Sequence, residues 1–178
     1  IDTCKKLEKQ GARVTYLPVQ KDGRIDLGQL REAITDKTIL ITIMTANNEI
    51  GVLQPVAEIG ALAKEKGVLF HTDAVQAAGK VPFDVNAIKA DLVSVSAHKM
   101  YGPKGVGALY VRRRNPRVLL AEQINGGGHE RGMRSGTLNV TGIVGFGKAA
   151  ALAKAEMATE SERLRGLRDK LNAALHQN

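Results

Sequence analysis

The chain of 178 residues contains no Trp and a single Cys, and Phe, Trp and Tyr together make up only 3% of it. A core with so few rings has to be built from Val, Ile, Leu and Ala, which suits buried parallel strands and the helices that cover them. One thiol, Cys4, excludes an internal disulfide and a cysteine-rich metal site, and it fits a reducing compartment. No apolar run is long enough to cross a bilayer, and the opening IDTCKKLEKQG has neither the apolar stretch nor the cleavage site of a secretory signal. The expectation is a soluble, cytoplasmic protein (mitochondrial matrix in a eukaryote) with no membrane partner. Repeats and low-complexity linkers are also missing, so residues 1–178 read as one unit.

What is present argues against disorder: 43% of residues are hydrophobic and 25% charged. The formal charge of +8 admits an acidic partner. The basic residues are nevertheless spread over helices, apart from VRRRNPR at Val111 to Arg117, and no aromatic interleaving accompanies them. A solvated face is the plainer explanation, and nucleic acid is not an expected partner. The competing non-enzymatic reading is a basic α/β interaction module that binds an acidic scaffold or nucleic acid through Arg112, Arg113, Arg114 and Arg117.

Hydrophobic patterning alternates strand and helix. A helix over Thr3 to Gln10 stops at Gly11, ARVTYLPV from Ala12 reads as a strand closed by the turn KDGR, and Asp26 caps the helix LGQLREAI. TILITIMTA, from Thr38 to Ala46, reads as a strand buried on both faces. Pro55 opens a helix ended by Gly67, and VLFHTDA and DLVSVSA follow as two more strands. Beyond the loop HKMYGPKG, VGALYVRR reads as a strand returning in the opposite direction. Gly126 to Thr137 is too rich in Gly and charge for a regular element, and Val140 to His176 has helical periodicity. The fold class is α/β: three layers, with a mostly parallel sheet flanked by helices.

In such sheets ligands bind beyond the carboxyl ends of the strands. Three successive strands end there in polar groups: Asn47 and Asn48, then Asp73 and Gln76, then Ser96, His98 and Lys99. An ion pair of Asp73 with Lys99 is the bland alternative. Gln76 capping a helix near Ala74, Ser96 in the core and His71 as a structural strand histidine are others. The surroundings favour a ligand, since Asp73 follows an apolar strand and Lys99 precedes a tight turn. Pyridoxal 5′-phosphate needs what this edge offers: an amine for an imine, a carboxylate for the pyridinium nitrogen, and donors for phosphate and phenolic oxygens.

NNEIG, HTDAVQAAGK, SAHKMYGPKGVGALYVRR and GGGHERGMRSGT resemble the corresponding segments of group I cysteine desulfurases, fold-type I enzymes of the class V aminotransferase superfamily. The resemblance covers essentially the whole chain, and its motifs run in the family's order. It implies that Lys99 is the Schiff-base lysine, Asp73 the partner of the pyridinium nitrogen, and Gln76 the partner of the phenolic oxygen. By the same resemblance Asn48 contacts the ring side, Ser96 and His98 bind the phosphate, and Thr137 adds a phosphate contact across a homodimer interface. The implied substrate is L-cysteine, which yields alanine and a persulfide destined for a sulfur-acceptor or scaffold protein. A selenocysteine lyase or an aminotransferase of the same class would share Asp73 and Lys99.

Cys4, beside Lys5 and Lys6 on an amphipathic helix, reads as a packing residue and does not match the family's nucleophile. The resemblance implies a partial large domain. The nucleophilic cysteine, the substrate-binding arginine and the residue stacking on the cofactor are expected in segments outside this sequence, and the chain alone is expected to be inactive.

Overall fold

The computed structural model describes residues 1–176. Helix α1 (Asp2–Glu8) ends in a turn, and Gln20 N donates to Arg24 O at 2.7 Å across the KDGR reversal. The strand expected from Ala12 does not form. Only Val19 is bridged, to Ile25, because among the described residues no neighbouring backbone runs beside 12–18 to satisfy a ladder. Asp26 caps α2 (Leu27–Ala33) as its spacing predicts, its Oδ1 accepting from Gln29 N at 3.0 Å.

Four strands form one sheet in the order β1 (Leu40–Thr42), β2 (Leu69–Asp73), β3 (Leu92–Ser96) and β4 (Gly107–Val111). β1, β2 and β3 are parallel, and β4 returns antiparallel to β3, as the sequence suggested. Helix α3 (Val56–Lys66) joins β1 to β2 and stops at Gly67, whose left-handed φ of 68° a β-carbon would resist. The core lies on the α3 side: Ile59, Leu62 and Ala63 meet Phe70, Val93 and Ile88. The other side is more open, with Leu40, Thr42 and Asp73 exposed and His71 half-buried.

The expectation that 38–46 is buried on both faces is thus corrected. β1 is an edge strand of three residues, and its alternation is exposed, buried, exposed. A second correction concerns the link from β2 to β3, which runs through turns without a regular helix at Ala74. Asp91 anchors that link at its far end. Its Oδ2 accepts from Phe70 N at 2.9 Å and its Oδ1 lies 3.2 Å from Arg112 Nε, while Arg112 also donates to Ala90 O at 2.8 Å. Both charges are largely buried, and each is paired and hydrogen-bonded, as a low-dielectric site demands.

After β4 the chain passes a short left-handed turn, α4 (His129–Gly132), in which Glu130 and Arg131 take φ of 49° and 60°, and enters the long α5 (Val140–Leu175). Among the described residues no helix is long and apolar enough to cross a membrane.

Candidate active site

Parallel pairing brings three strand ends to one edge. Hydrogen bonding continues past β1, with Ile43 N donating to His71 O at 3.2 Å and Thr45 N to Asp73 O at 2.8 Å. The NNEIG loop, the turn after Asp73 and the turn after Ser96 therefore emerge side by side.

The Asp73 turn is closed by its own side chain, since Oδ1 accepts from Val75 N at 2.9 Å. Oδ2 has no hydrogen-bond partner among the described residues, and the residue is exposed. Gln76 caps no helix. Its Oε1 instead accepts from Lys80 Nζ at 3.1 Å.

Lys99 sits on a 3₁₀ turn, Ala97–Met100, that begins where β3 ends. Ala97 O accepts from Gly102 N at 2.9 Å, and Tyr101 between them takes a left-handed φ of 62°. A β-carbon on Gly102 would fall 2.9 Å from Ala97 O and 3.1 Å from Ala149 Cβ of α5, so only glycine closes this turn against the helix. Lys99 is exposed, and among the described residues it makes no ion pair with Asp73 or any other carboxylate. The bland ion-pair alternative is not what the geometry shows.

Next to Lys99, Ser96 Oγ and His98 Nδ1 lie 2.8 Å apart, which pins the imidazole and leaves its Nε2 outward. Ser96 is half-buried rather than in the core. Asn48 is exposed and its amide donates to Glu49 Oε1 at 2.8 Å, whereas Asn47 shapes the loop by accepting from Glu49 N and Ile50 N. Thr137 stands apart, exposed on the stretch before α5, with no hydrogen bond to this cluster among the described residues. Its loop is braced by buried Ser135, which donates to the Glu122 carboxylate and accepts from Gly128 N at 3.1 Å.

The site has two further neighbours, of which sequence reasoning weighed one, His71, as a structural strand histidine and missed the other. His71 is clasped on the open face of the sheet, Nδ1 2.7 Å from Thr42 Oγ1 and Nε2 2.9 Å from Ser94 Oγ. Burial holds its pKa below the ordinary imidazole value, and the Asp73 carboxylate opposes the shift. Lys80 is the other: partial burial lowers its pKa, and the charge of Lys99 lowers it further. The four-residue spacing from Gln76 was the available signal for Lys80. Away from the edge, Tyr110, Arg112, Arg113, Arg114 and Arg117 line an open cavity of about 540 Å³. Arg112 is held there by Asp91, which removes it from the four arginines expected to be available for docking.

Comparison with known proteins decides the kinship. The family model described as "Aminotransferase class-V" matches residues 1–178. The chain belongs to the class V aminotransferase family. Over 175 residues it is 62% identical to the cysteine desulfurase IscS of Anaeromyxobacter sp. (strain Fw109-5), a match covering 98% of this chain and 43% of that protein. The chain thus spans less than half the length of the curated relatives it matches. Its fold superposes on a solved NifS-like protein with TM-score 0.94 and 42% identity, over 99% of this chain and 48% of the other. A structure of SspA in complex with cysteine matches with TM-score 0.79 and 47% identity, over 84% of this chain and 43% of that one.

The donor set suits the cofactor that class V membership implies. An amine and a carboxylate without mutual pairing, an amide with its N–H end open and a hydroxyl–imidazole pair match a carbonyl, a ring nitrogen, a phenolic oxygen and a phosphate.

Proposed function

We propose that this class V chain supplies the cofactor-anchoring part of a pyridoxal phosphate-dependent cysteine desulfurase. The observation that carries the proposal is the placement of Asp73 and Lys99 where the adjacent parallel strands β2 and β3 end, exposed at one edge of the sheet and not paired with each other. The 62% identity to a protein named cysteine desulfurase supports the choice of reaction within the class.

In this reading Lys99 would hold the cofactor through its amine and, when its amine is free, would carry a proton to and from the substrate α-carbon. Asp73 keeps the ring nitrogen protonated. Gln76 donates to the phenolic oxygen, Asn48 contacts the ring side, and Ser96 and His98 hold the phosphate. Thr137 would add a phosphate contact in the partner subunit of a homodimer. When bound, pyridoxal phosphate delocalises the electron pair left at the substrate α-carbon. In the proposed reaction the substrate C–S bond would break with sulfur passing to an enzyme thiolate as a persulfide, and protonation of the remaining carbon skeleton would give alanine. Cys4 lies half-buried on α1, not on the carboxyl edge, and is not the thiolate proposed. The arginine-lined cavity supports an acidic sulfur-acceptor or scaffold protein as partner.

The deciding experiment uses the purified full-length protein. With pyridoxal phosphate it should turn yellow, borohydride should fix the cofactor to Lys99 on peptide mapping, and cysteine should yield persulfide and alanine. Transamination without sulfur release would replace the desulfurase reading by another class V activity, and a colourless protein with unmodified Lys99 would end it.

A further inference from the structure

Lys80 has no part in the roles above, yet among the described residues its side chain alone bonds to Gln76. A lysine ammonium carries donors and no acceptor, so only the carbonyl end of an amide can face it. With Oε1 taken by Lys80 Nζ at 3.1 Å, Gln76 Nε2 is turned away and donates to nothing among the described residues. The backbone that presents Lys80 is itself fixed. Its carbonyl accepts from Ser161 Oγ of α5 at 3.1 Å, and a β-carbon on the preceding Gly79 would lie 3.0 Å from Ala153 Cβ and 3.4 Å from Met100 Cβ. The backbone at Gly79 and Lys80 is thus held between α5 and the turn that carries Lys99, while the Lys80 side chain is exposed and reaches Gln76.

We propose that Lys80 is a positioning residue that locks the amide orientation of Gln76, so that Gln76 presents an N–H, not a carbonyl, to an anionic oxygen of the cofactor held at Lys99. The inference rests on the cofactor reading of Lys99 and deepens it. A free amide flips between two orientations of similar energy, and the wrong one aims a lone pair at the phenolic oxygen. Lys80 removes that choice without touching the ligand. Lys99 is the charged neighbour that reaches Lys80, and on α5 Glu160 and Arg163 are engaged with each other at 2.7 Å.

The test is a double-mutant cycle on the full-length protein, read by pyridoxal phosphate affinity of the apoprotein and by the pH titration of the visible band. A donor to the phenolic oxygen stabilises its deprotonated form, so Lys80→Met should raise the titration midpoint by about one pH unit and weaken cofactor binding about tenfold. Lys80→Arg, which keeps the donor, should restore both. Loss of a positive charge near Lys99 would also raise the midpoint, and the Gln76→Leu background separates the two causes. In that background Lys80→Met should leave only the smaller effect of the lost charge. A full additional shift there would assign Lys80 to a direct charge effect and overturn the proposal, as would an unchanged spectrum in Lys80→Met alone. If the unmutated protein takes no colour and Lys99 stays unlabelled, the cofactor reading fails and this inference with it, an outcome distinct from a coloured protein indifferent to Lys80.

Discussion

Lys99 and Asp73 are the residues on which the reading can be tested most directly. Lys99→Ala removes the attachment and the proton carrier together, so sulfur release should fall by at least about 10³-fold, measured as alanine formed from cysteine. Asp73→Asn should leave the cofactor bound and slow turnover about 100-fold, because an amide does not hold the ring nitrogen protonated; an unchanged rate would assign that role to another carboxylate. His71 makes a different prediction. It binds its proton less readily in the folded chain than at the ordinary value of about 6.5 in the unfolded one. Its contribution to stability is therefore present at neutral pH and is lost as pH falls from about 6.5 through the lower folded value. Urea midpoints across that range should drop on acidification, and His71→Asn should flatten the drop; an identical profile in the variant would clear His71 of any part in it.

Turns and strand pairings decide how rigidly these groups are held. Gly102→Ala forces a β-carbon against Ala97 O and α5, and should cost about 1–3 kcal/mol in a denaturant titration and weaken cofactor binding with it. The Asp91–Arg112 pair ties the β2–β3 link to β4. Asp91→Ala strands the arginine in a poorly solvated place and should cost about 3–5 kcal/mol, whereas replacing both by apolar residues should recover part of the loss. Element identity was largely legible because the signals were local: Asp26 before α2, Pro55 and Gly67 bracketing α3, and β-branched runs at β2 and β3. The segment 12–18 had an equally good strand pattern and formed none, since alternation specifies a face to bury but supplies no neighbour to pair with.

For the whole molecule, Thr137 is exposed and makes no hydrogen bond to the Lys99 cluster among the described residues, and the proposed reading gives it a role completed by a second subunit. Sedimentation of the full-length protein should give twice the monomer mass, and Thr137→Val should weaken cofactor binding by up to about tenfold. A monomer with full affinity would remove Thr137 from the site. Apart from the segment 12–18, the sequence by itself indicated the order of elements, the parallel run of β1 to β3 with β4 reversed, and the polar residues that end each strand, because these depend on hydrophobic period and turn chemistry along a short stretch. Only the tertiary structure decided that Lys99 and Asp73 stay apart, that Arg112 belongs to Asp91, that His71 is clasped by two hydroxyls and that Lys80 meets Gln76. Those outcomes depend on which side chains from different strands and turns come within hydrogen-bonding distance, and that distance is set by sheet register and helix packing rather than by any local pattern.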